Sequence, residues 1–278
     1  MNKIKSYLAS IFYASLLIST VAVADEVSVK KKLLSKYSTL DSALVVKKVE
    51  GTGLYEVNLQ GREGYTNDSV DFLLIGGSLI ETKTLKDLTA ERKPFFLRDF
   101  YKSIPKDQAI KLVYGNGARE FVAFEDPDCP VCKAQHQIWA KDADKFNATV
   151  YVFMLPLSIH PDATRKAEYL LCQQNPAAAW KSWMESGQGM PLDSAGKLKF
   201  GDNCPAGVKL VQSNEKFARS FGYRSTPRFI FTNGQGVGDA LELQQFNELF
   251  EYISKEDQNL MGGNHTTAVQ KPQKVTKP

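Results

Sequence analysis

Two cysteines two residues apart, Cys129-Pro130-Val131-Cys132, are the residues whose type and spacing best support chemistry in this chain. An apolar run, Glu120–Phe124, leads through Glu125-Asp126-Pro127-Asp128 into Cys129, and a helix is predicted to open there. That places the Cys129 thiol at a helix N-terminus, where unpaired backbone N–H groups and the positive end of the helix dipole favour a thiolate. Pro130 suits the first helical position, where its missing N–H costs nothing. Thiols so placed have pKa values of roughly 3.5–7.5. Cys132, one turn further in, is expected to be the more buried partner and to resolve a mixed disulfide formed on Cys129. The acidic residues Glu125, Asp126 and Asp128 oppose the shift, so the expected depression is real but not extreme. The competing chemistry is a zinc half-site. Structural zinc wants a second close pair, and Cys172 and Cys204 are far apart in the sequence. His136 could serve as a third ligand, but the chain has only three histidines. His136 is therefore read as a helix-surface or packing residue, and no metal is assigned.

The four cysteines allow three disulfide connectivities. Their compartment is set by the first 24 residues: Lys3 and Lys5, an apolar stretch from about Tyr7 to Val23, and the small-x-small ending Ala22-Val23-Ala24. This reads as a signal peptide cleaved after Ala24, and Asp25 follows rather than a cysteine that could carry lipid. Cleavage takes 24 of the 278 residues, leaving 254. The formal charge falls from +4 to +2, because only Lys3 and Lys5 are lost. That balance gives no electrostatic case for nucleic acid. Export places the thiols in an oxidising compartment. A local Cys-x-x-Cys ring adds little stability to a chain of this size, so the close pair is assigned to chemistry.

The elements that must position these thiols are legible in outline. Residues 27–37 carry Val27, Leu33, Leu34 and Tyr37 at roughly helical spacing. Ala43–Val49, Leu54–Leu59 and Val70–Ile75 are β-prone runs punctuated by Gly51, Gly53, Gly61 and Gly64. Together they suggest a small α+β unit over 25–80, with too little core to stand alone and a second copy as its natural partner. Residues 81–106 read as a connecting helix or helix pair, interrupted by Pro94. From 107 to 255 helices and strands alternate. Ile110–Tyr114 and Glu120–Phe124 flank Gly115-Asn116-Gly117, a hairpin signal. A helix is expected over Pro130–Phe146, then a strand at Thr149–Leu155, two helices within 162–187, and a helix at Asn214–Phe221. The strand Arg228–Thr232, the turn Asn233-Gly234 and an amphipathic helix at Leu243–Ile253 complete the series. Residues 256–278 are polar and expected to be a disordered tail.

Ser225-Thr226-Pro227 stands before the strand Arg228–Thr232. The order of strand, Cys-x-x-Cys helix, further helices, Thr-Pro and strand resembles the thioredoxin fold. The match extends to Phe124–Cys132, to His160-Pro161-Asp162-Ala163 opening a helix that ends at Leu171-Cys172, to Cys204, and to Ser225-Thr226-Pro227. These motifs, with the signal peptide and the small N-terminal unit, are similar to the DsbC/DsbG family of periplasmic disulfide isomerases. The resemblance implies a cystatin-like α+β dimerisation domain over 25–80 and a helical linker over 81–106. It implies an α/β thioredoxin-like domain with a helical insertion over 107–255. Further implications are Cys129 and Cys132 as the catalytic pair, Thr226 and a cis Pro227 at the substrate site, and a structural Cys172–Cys204 disulfide. Such a disulfide closes a loop of about 33 residues, worth ~3–4 kcal/mol in the chain-entropy model. The implied partners are exported proteins with non-native disulfides, a membrane thiol reductase of the DsbD type, and a second copy of the chain; no cofactor is called for. Two departures stand out. Pro-Val replaces the Gly-Tyr dipeptide of typical DsbC, its proline being shared with DsbG-like members, and the tail is longer. The dipeptide leaves isomerase, sulfenic-acid reductase and oxidase roles unseparated, and a chaperone or assembly module with secondary thiol activity stands as the non-enzymatic alternative.

Overall fold

The computed structural model describes residues 25–37, 43–59, 62–191, 193–195, 197–199 and 204–262. The expected signal peptide and residues 263–278 of the expected tail lie outside them.

Helix α1 (residues 25–36) packs on an antiparallel sheet of strands β1 (Val46–Val49), β2 (Leu54–Leu59), β3 (Arg62–Asn67) and β4 (Leu74–Ile75), in that spatial order. The helix face that meets the sheet is Val29 and Leu33, one turn apart, whereas Val27 and Tyr37 are exposed. They join Leu44, Val46, Tyr55, Val57, Leu59 and Val70 in a small core. Strand β3 was not expected, because Gly64 reads as a breaker. Here a Cβ at Gly64 would come within 2.7 Å of the Leu74 carbonyl, so the glycine is what lets β4 pair.

The segment expected to be a linker begins as a short hairpin, β5 (Ile80–Glu81) and β6 (Lys86–Asp87), and only then becomes helix α2 (Leu88–Ser103). Asp87 caps the helix by accepting the Ala90 N–H, and Pro94 lies inside an otherwise continuous helix. The two halves of α2 serve different neighbours. Arg92 bridges to buried Glu56 of β2, while Arg98 pairs with Glu256 and Asp257 in the last of the described helices.

The second sheet has the order β11-β10-β8-β9-β7, formed by β7 (Ile110–Val113), β8 (Arg119–Glu125), β9 (Ala148–Met154), β10 (Arg228–Phe231) and β11 (Gly236–Val237). The hairpin expected around Gly115-Asn116-Gly117 does not form. β9 inserts between β7 and β8, antiparallel to one and parallel to the other. The reason lies in β8: Phe121, Val122, Ala123 and Phe124 are all fully buried, so the strand is central and needs a neighbour on each side. The turn is instead stitched to the start of β9, where Asn147 Oδ1 accepts the N–H groups of Asn116 and Ala118. The turn at Asn233-Gly234 does close a hairpin, between β10 and β11.

Period-two alternation sorts the sheet's side chains into two cores. Phe121, Ala123, Val150, Val152, Phe229 and Phe231 face Trp139, Phe146 and Phe246. Val122, Phe124, Phe153 and Ile230 face Phe96, Phe100 and Tyr101 of α2 and Phe217. Covering the first face are α3 (Pro130–Lys141), α4 (Ala143–Phe146), α6 (Pro176–Ser186) and α8 (Leu243–Met261); α5 (Ala163–Leu171) packs against α7 (Pro205–Ser220). The single helix expected over 130–146 is broken at Asp142. α8 runs to Met261, so residues 256–261, expected in the tail, are helical, and Arg98 anchors that stretch.

Candidate functional site

β8 delivers the chain to the thiols through Asp126, which is fully buried. Its Oδ1 accepts the Asp128 N–H (2.7 Å) and the Cys129 N–H (3.1 Å); its Oδ2 accepts the Leu157 N–H (2.6 Å) and contacts His160 Nδ1 (2.9 Å). One carboxylate thus fastens the loop before Cys129 to the segment after β9. The Pro127 carbonyl accepts the Trp183 indole N–H at 2.7 Å, and Lys166 pairs with Asp128 at 2.6 Å. Lys133 stacks 4.3 Å over the Trp183 ring.

Cys129 is the N-cap of α3, its sulfur accepting the Cys132 N–H at 3.5 Å, and Pro130 takes the first turn. Across the cleft, Cys129 Sγ lies 3.6 Å from the Thr226 carbonyl oxygen, and the Thr226–Pro227 bond is cis. The thiol is lowered to about pKa 6. Hydrogen bonding with the Cys132 side chain is the largest cause, burial opposes it, and Thr226 and the backbone N–H groups of Cys132 and Val131 add to it. Cys132 is fully buried. Its thiol is pushed well up by burial, then by its hydrogen bond to Cys129 and the negative charge of Glu125. The acidic cluster does not cancel the helix-end effect: the Cys129 thiol is lowered although the acids lie just before it, Glu125 against His136, Asp126 against His160 and Asp128 paired with Lys166.

The difference between the thiols sets a pH dependence. Raising pH through about 6 converts Cys129 to thiolate. The rate of Cys129 alkylation by iodoacetamide should therefore rise with a midpoint near 6 and be flat by pH 8. A midpoint at or above ~8.5, the free-thiol value, would mean that burial and the acids win.

The other two cysteines form a disulfide, Cys172–Cys204, while Cys129 and Cys132 are free. It joins the end of α5 to the N-cap of α7. Of the two roles expected for His136, surface or packing, the structure gives the packing one, its ring lying against Trp139 and Trp180. His136 is fully buried and polar-bonded, to Glu125 and Tyr114. Sequence reading treated Glu125 only as an unfavourable charge and missed Tyr114, Trp180 and Glu185. The one available signal was the four-residue spacing of Cys132 and His136, which puts both on one helix face.

A thioredoxin-like domain model matches residues 106–254. The chain is 32% identical over 214 residues, 77% of its length and 70% of the relative's, to the probable thiol:disulfide interchange protein DsbC of Bordetella pertussis. It belongs to the thioredoxin-like DsbC family of thiol:disulfide interchange proteins. DsbG of Escherichia coli is 28% identical over 119 residues, covering 41% of this chain and 44% of that one. A disulfide interchange protein of Neisseria gonorrhoeae of known structure is 35% identical, with a TM-score of 0.44 over 54% of this chain and 97% of that one. This DsbC-like chain is a thiol–disulfide oxidoreductase. Among its described residues, no helix is long and apolar enough to cross a membrane.

Proposed function

We propose that the protein is an exported, periplasmic disulfide isomerase and reductase. Cys129 attacks a wrong disulfide in an exported protein, and the mixed disulfide is resolved either by a substrate thiol or by Cys132. The observation that carries this reading is the asymmetry of the pair, one thiol lowered to about 6 at a helix end and the other sealed and raised. Thr226 and Pro227, facing the attacking sulfur, are read as the strip that holds an extended substrate segment through its main chain. Cys172–Cys204 is read as structural. Returning the active pair to the dithiol form in an oxidising compartment calls for an electron donor, a membrane thiol reductase of the DsbD type.

The N-terminal unit is read as a cystatin-like dimerisation domain. Strand β4 is an open sheet edge whose Leu74 (56% exposed) and Ile75 (44%) face solvent beside exposed Phe72 and Ile80. An apolar edge of this kind is a template for pairing with another strand, and a second copy would place two thiol sites around one cleft. Replacing both Leu74 and Ile75 by Lys should give a monomer by light scattering. Cys129 alkylation should be unchanged, while refolding of a scrambled multi-disulfide substrate is lost. A wild-type protein that is monomeric at micromolar concentration would overturn the dimer. A wild-type protein that rescues a lone oxidised cysteine but does not refold scrambled substrate would make it a sulfenic-acid reductase.

A further inference from the structure

Helix α2 is shared by the two parts of the molecule. Its second half is fixed to the thioredoxin-like domain: Arg98 holds Glu256 and Asp257, and a Cβ at Gly234 would come within 2.6 Å of Leu97. Its first half lies over Glu56, on the face of the N-terminal sheet opposite the α1 core. Glu56 stands there between Lys47 of β1 and Tyr65 of β3, its neighbours in register. The Glu56 side chain is fully sealed, whereas the Arg92 side chain that meets it, 3.2 Å from Nε to Oε2, is 29% exposed. Arg92 also donates to the Lys48 carbonyl at 3.1 Å. The other Glu56 oxygen, Oε1, is buried without a hydrogen-bond partner. Neither has Oε1 of Glu63, a second carboxylate on the same sheet face, a hydrogen bond, though the Lys93 ammonium lies 3.6 Å from it. The other charged and titratable groups on this face turn elsewhere: Lys47 pairs with Asp99 at 3.3 Å, and the Tyr65 hydroxyl bonds Thr89.

We propose that Glu56 and Arg92 form an acid-tightened latch that holds the thioredoxin-like domain on the N-terminal unit through α2. A sealed carboxylate with one bond to a partly open cation is under-compensated for the water it has lost. Its protonated form needs no cation, and Arg92, open to solvent, can then turn to water. Proton uptake on Glu56 therefore favours the state with α2 docked. Burial pushes the Glu56 carboxyl up, Arg92 offsets part of the rise, and Glu63 adds to it. A carboxyl raised only in the docked state makes docking tightest below the ordinary carboxyl range, and docking loosens as pH rises through the raised value. The more exposed pairs Lys47–Asp99 and Lys93–Glu63 act with the opposite sign, since acid removes their negative partners. As the latch loosens, the thiol site, carried with the second half of α2, gains freedom to swing relative to the N-terminal unit. The inference is independent of the roles given above to Cys129 and Cys132.

The test is amide hydrogen exchange of the full chain, read by mass spectrometry on peptides from the first half of α2 and corrected for the intrinsic effect of pH. Protection there should rise several-fold as pH falls from about 7.5 to about 5, while peptides from β8 stay level. Glu56→Gln should show the acid level of protection at both pH values. Arg92→Met keeps the apolar stem and removes the cation. Its protection should fall several-fold at the higher pH and return to near the wild-type level at the lower one. A merely structural loss has no such acid rescue, and the rescue decides the matter should Glu56→Gln fail to fold. Wild-type protection that is flat or falls in acid, or that rises equally in β8, overturns the latch. So does a Glu56→Gln protein that keeps the wild-type pH dependence, or an Arg92→Met loss that is the same at both pH values.

Discussion

Cys129→Ser should reduce disulfide exchange to the uncatalysed background, whereas Cys132→Ser should leave a protein that forms mixed disulfides and releases them only through a substrate thiol. With its thiol at about 6, Cys129 is roughly nine-tenths thiolate at pH 7. Cys132 is held in the neutral form by burial and by the negative charge of Glu125. Only one of the two sulfurs is therefore a nucleophile in the resting dithiol, and a serine hydroxyl, titrating far above it, is no substitute. In Cys132→Ser the attacking thiolate survives, so adducts should accumulate as reducible bands of higher mass on a gel, and isomerisation driven by substrate thiols should persist in part. The same thiolate links pH to stability. Its folded pKa lies below that of an unfolded cysteine, so it stabilises the reduced protein most above the unfolded value and loses that contribution as pH falls through about 6. Equal, mild losses in the two serine variants would contradict the division of roles.

What could be read from the residues alone was local. The apolar run before Cys129, Pro130 at the first helical position and the Thr-Pro before Arg228 each carry their meaning within a few positions, and each took the expected element. Pairing between distant segments was not legible in the same way. Gly115-Asn116-Gly117 has the composition of a hairpin turn. What decides the topology is that β8 is buried on both faces and needs β9 and β10 beside it. Gly64 read as a strand breaker because nothing in the sequence says that a neighbouring carbonyl approaches within 2.7 Å of where its Cβ would be. The acidic stretch before Cys129 was legible as charge but not as a set of bonded carboxylates. His136, His160 and Lys166, its three partners, come from α3, the segment after β9 and α5. The buried network behind Cys132 was hidden for the same reason, since Tyr114, Glu125, His136 and Glu185 converge only once α3 and α6 lie on the sheet.

Asp126→Ala should be the most damaging single change near the thiols that leaves both cysteines in place. The carboxylate has no exposure and holds the Asp128, Cys129 and Leu157 N–H groups as well as His160. Alanine removes every one of these acceptors at once. The Cys129 N–H keeps the Asp126 backbone oxygen at 3.1 Å, but the Leu157 and Asp128 N–H groups and the His160 ring are left facing a void. An orphaned buried donor costs about 1–3 kcal/mol, and Asp126→Ala leaves the Asp128 and Leu157 N–H groups and the His160 ring without their acceptor. We therefore expect a loss of about 3–5 kcal/mol in urea unfolding, a large part of the ~5–15 kcal/mol that holds a domain folded. Asp126→Asn should cost less. Its side-chain oxygen can still accept from Asp128 and Cys129, while its amide nitrogen offers nothing to the Leu157 N–H. The effect should also reach the chemistry. With the loop before α3 released from the segment after β9, Cys129 is held less firmly over the helix end, and its alkylation midpoint should move up from about 6 toward the free-thiol range. If both variants lose under ~1 kcal/mol, the size of one ordinary hydrogen bond, and keep the wild-type midpoint, then Asp126 does not position the nucleophile and the helix dipole with the Cys132 contact suffices to hold its charge.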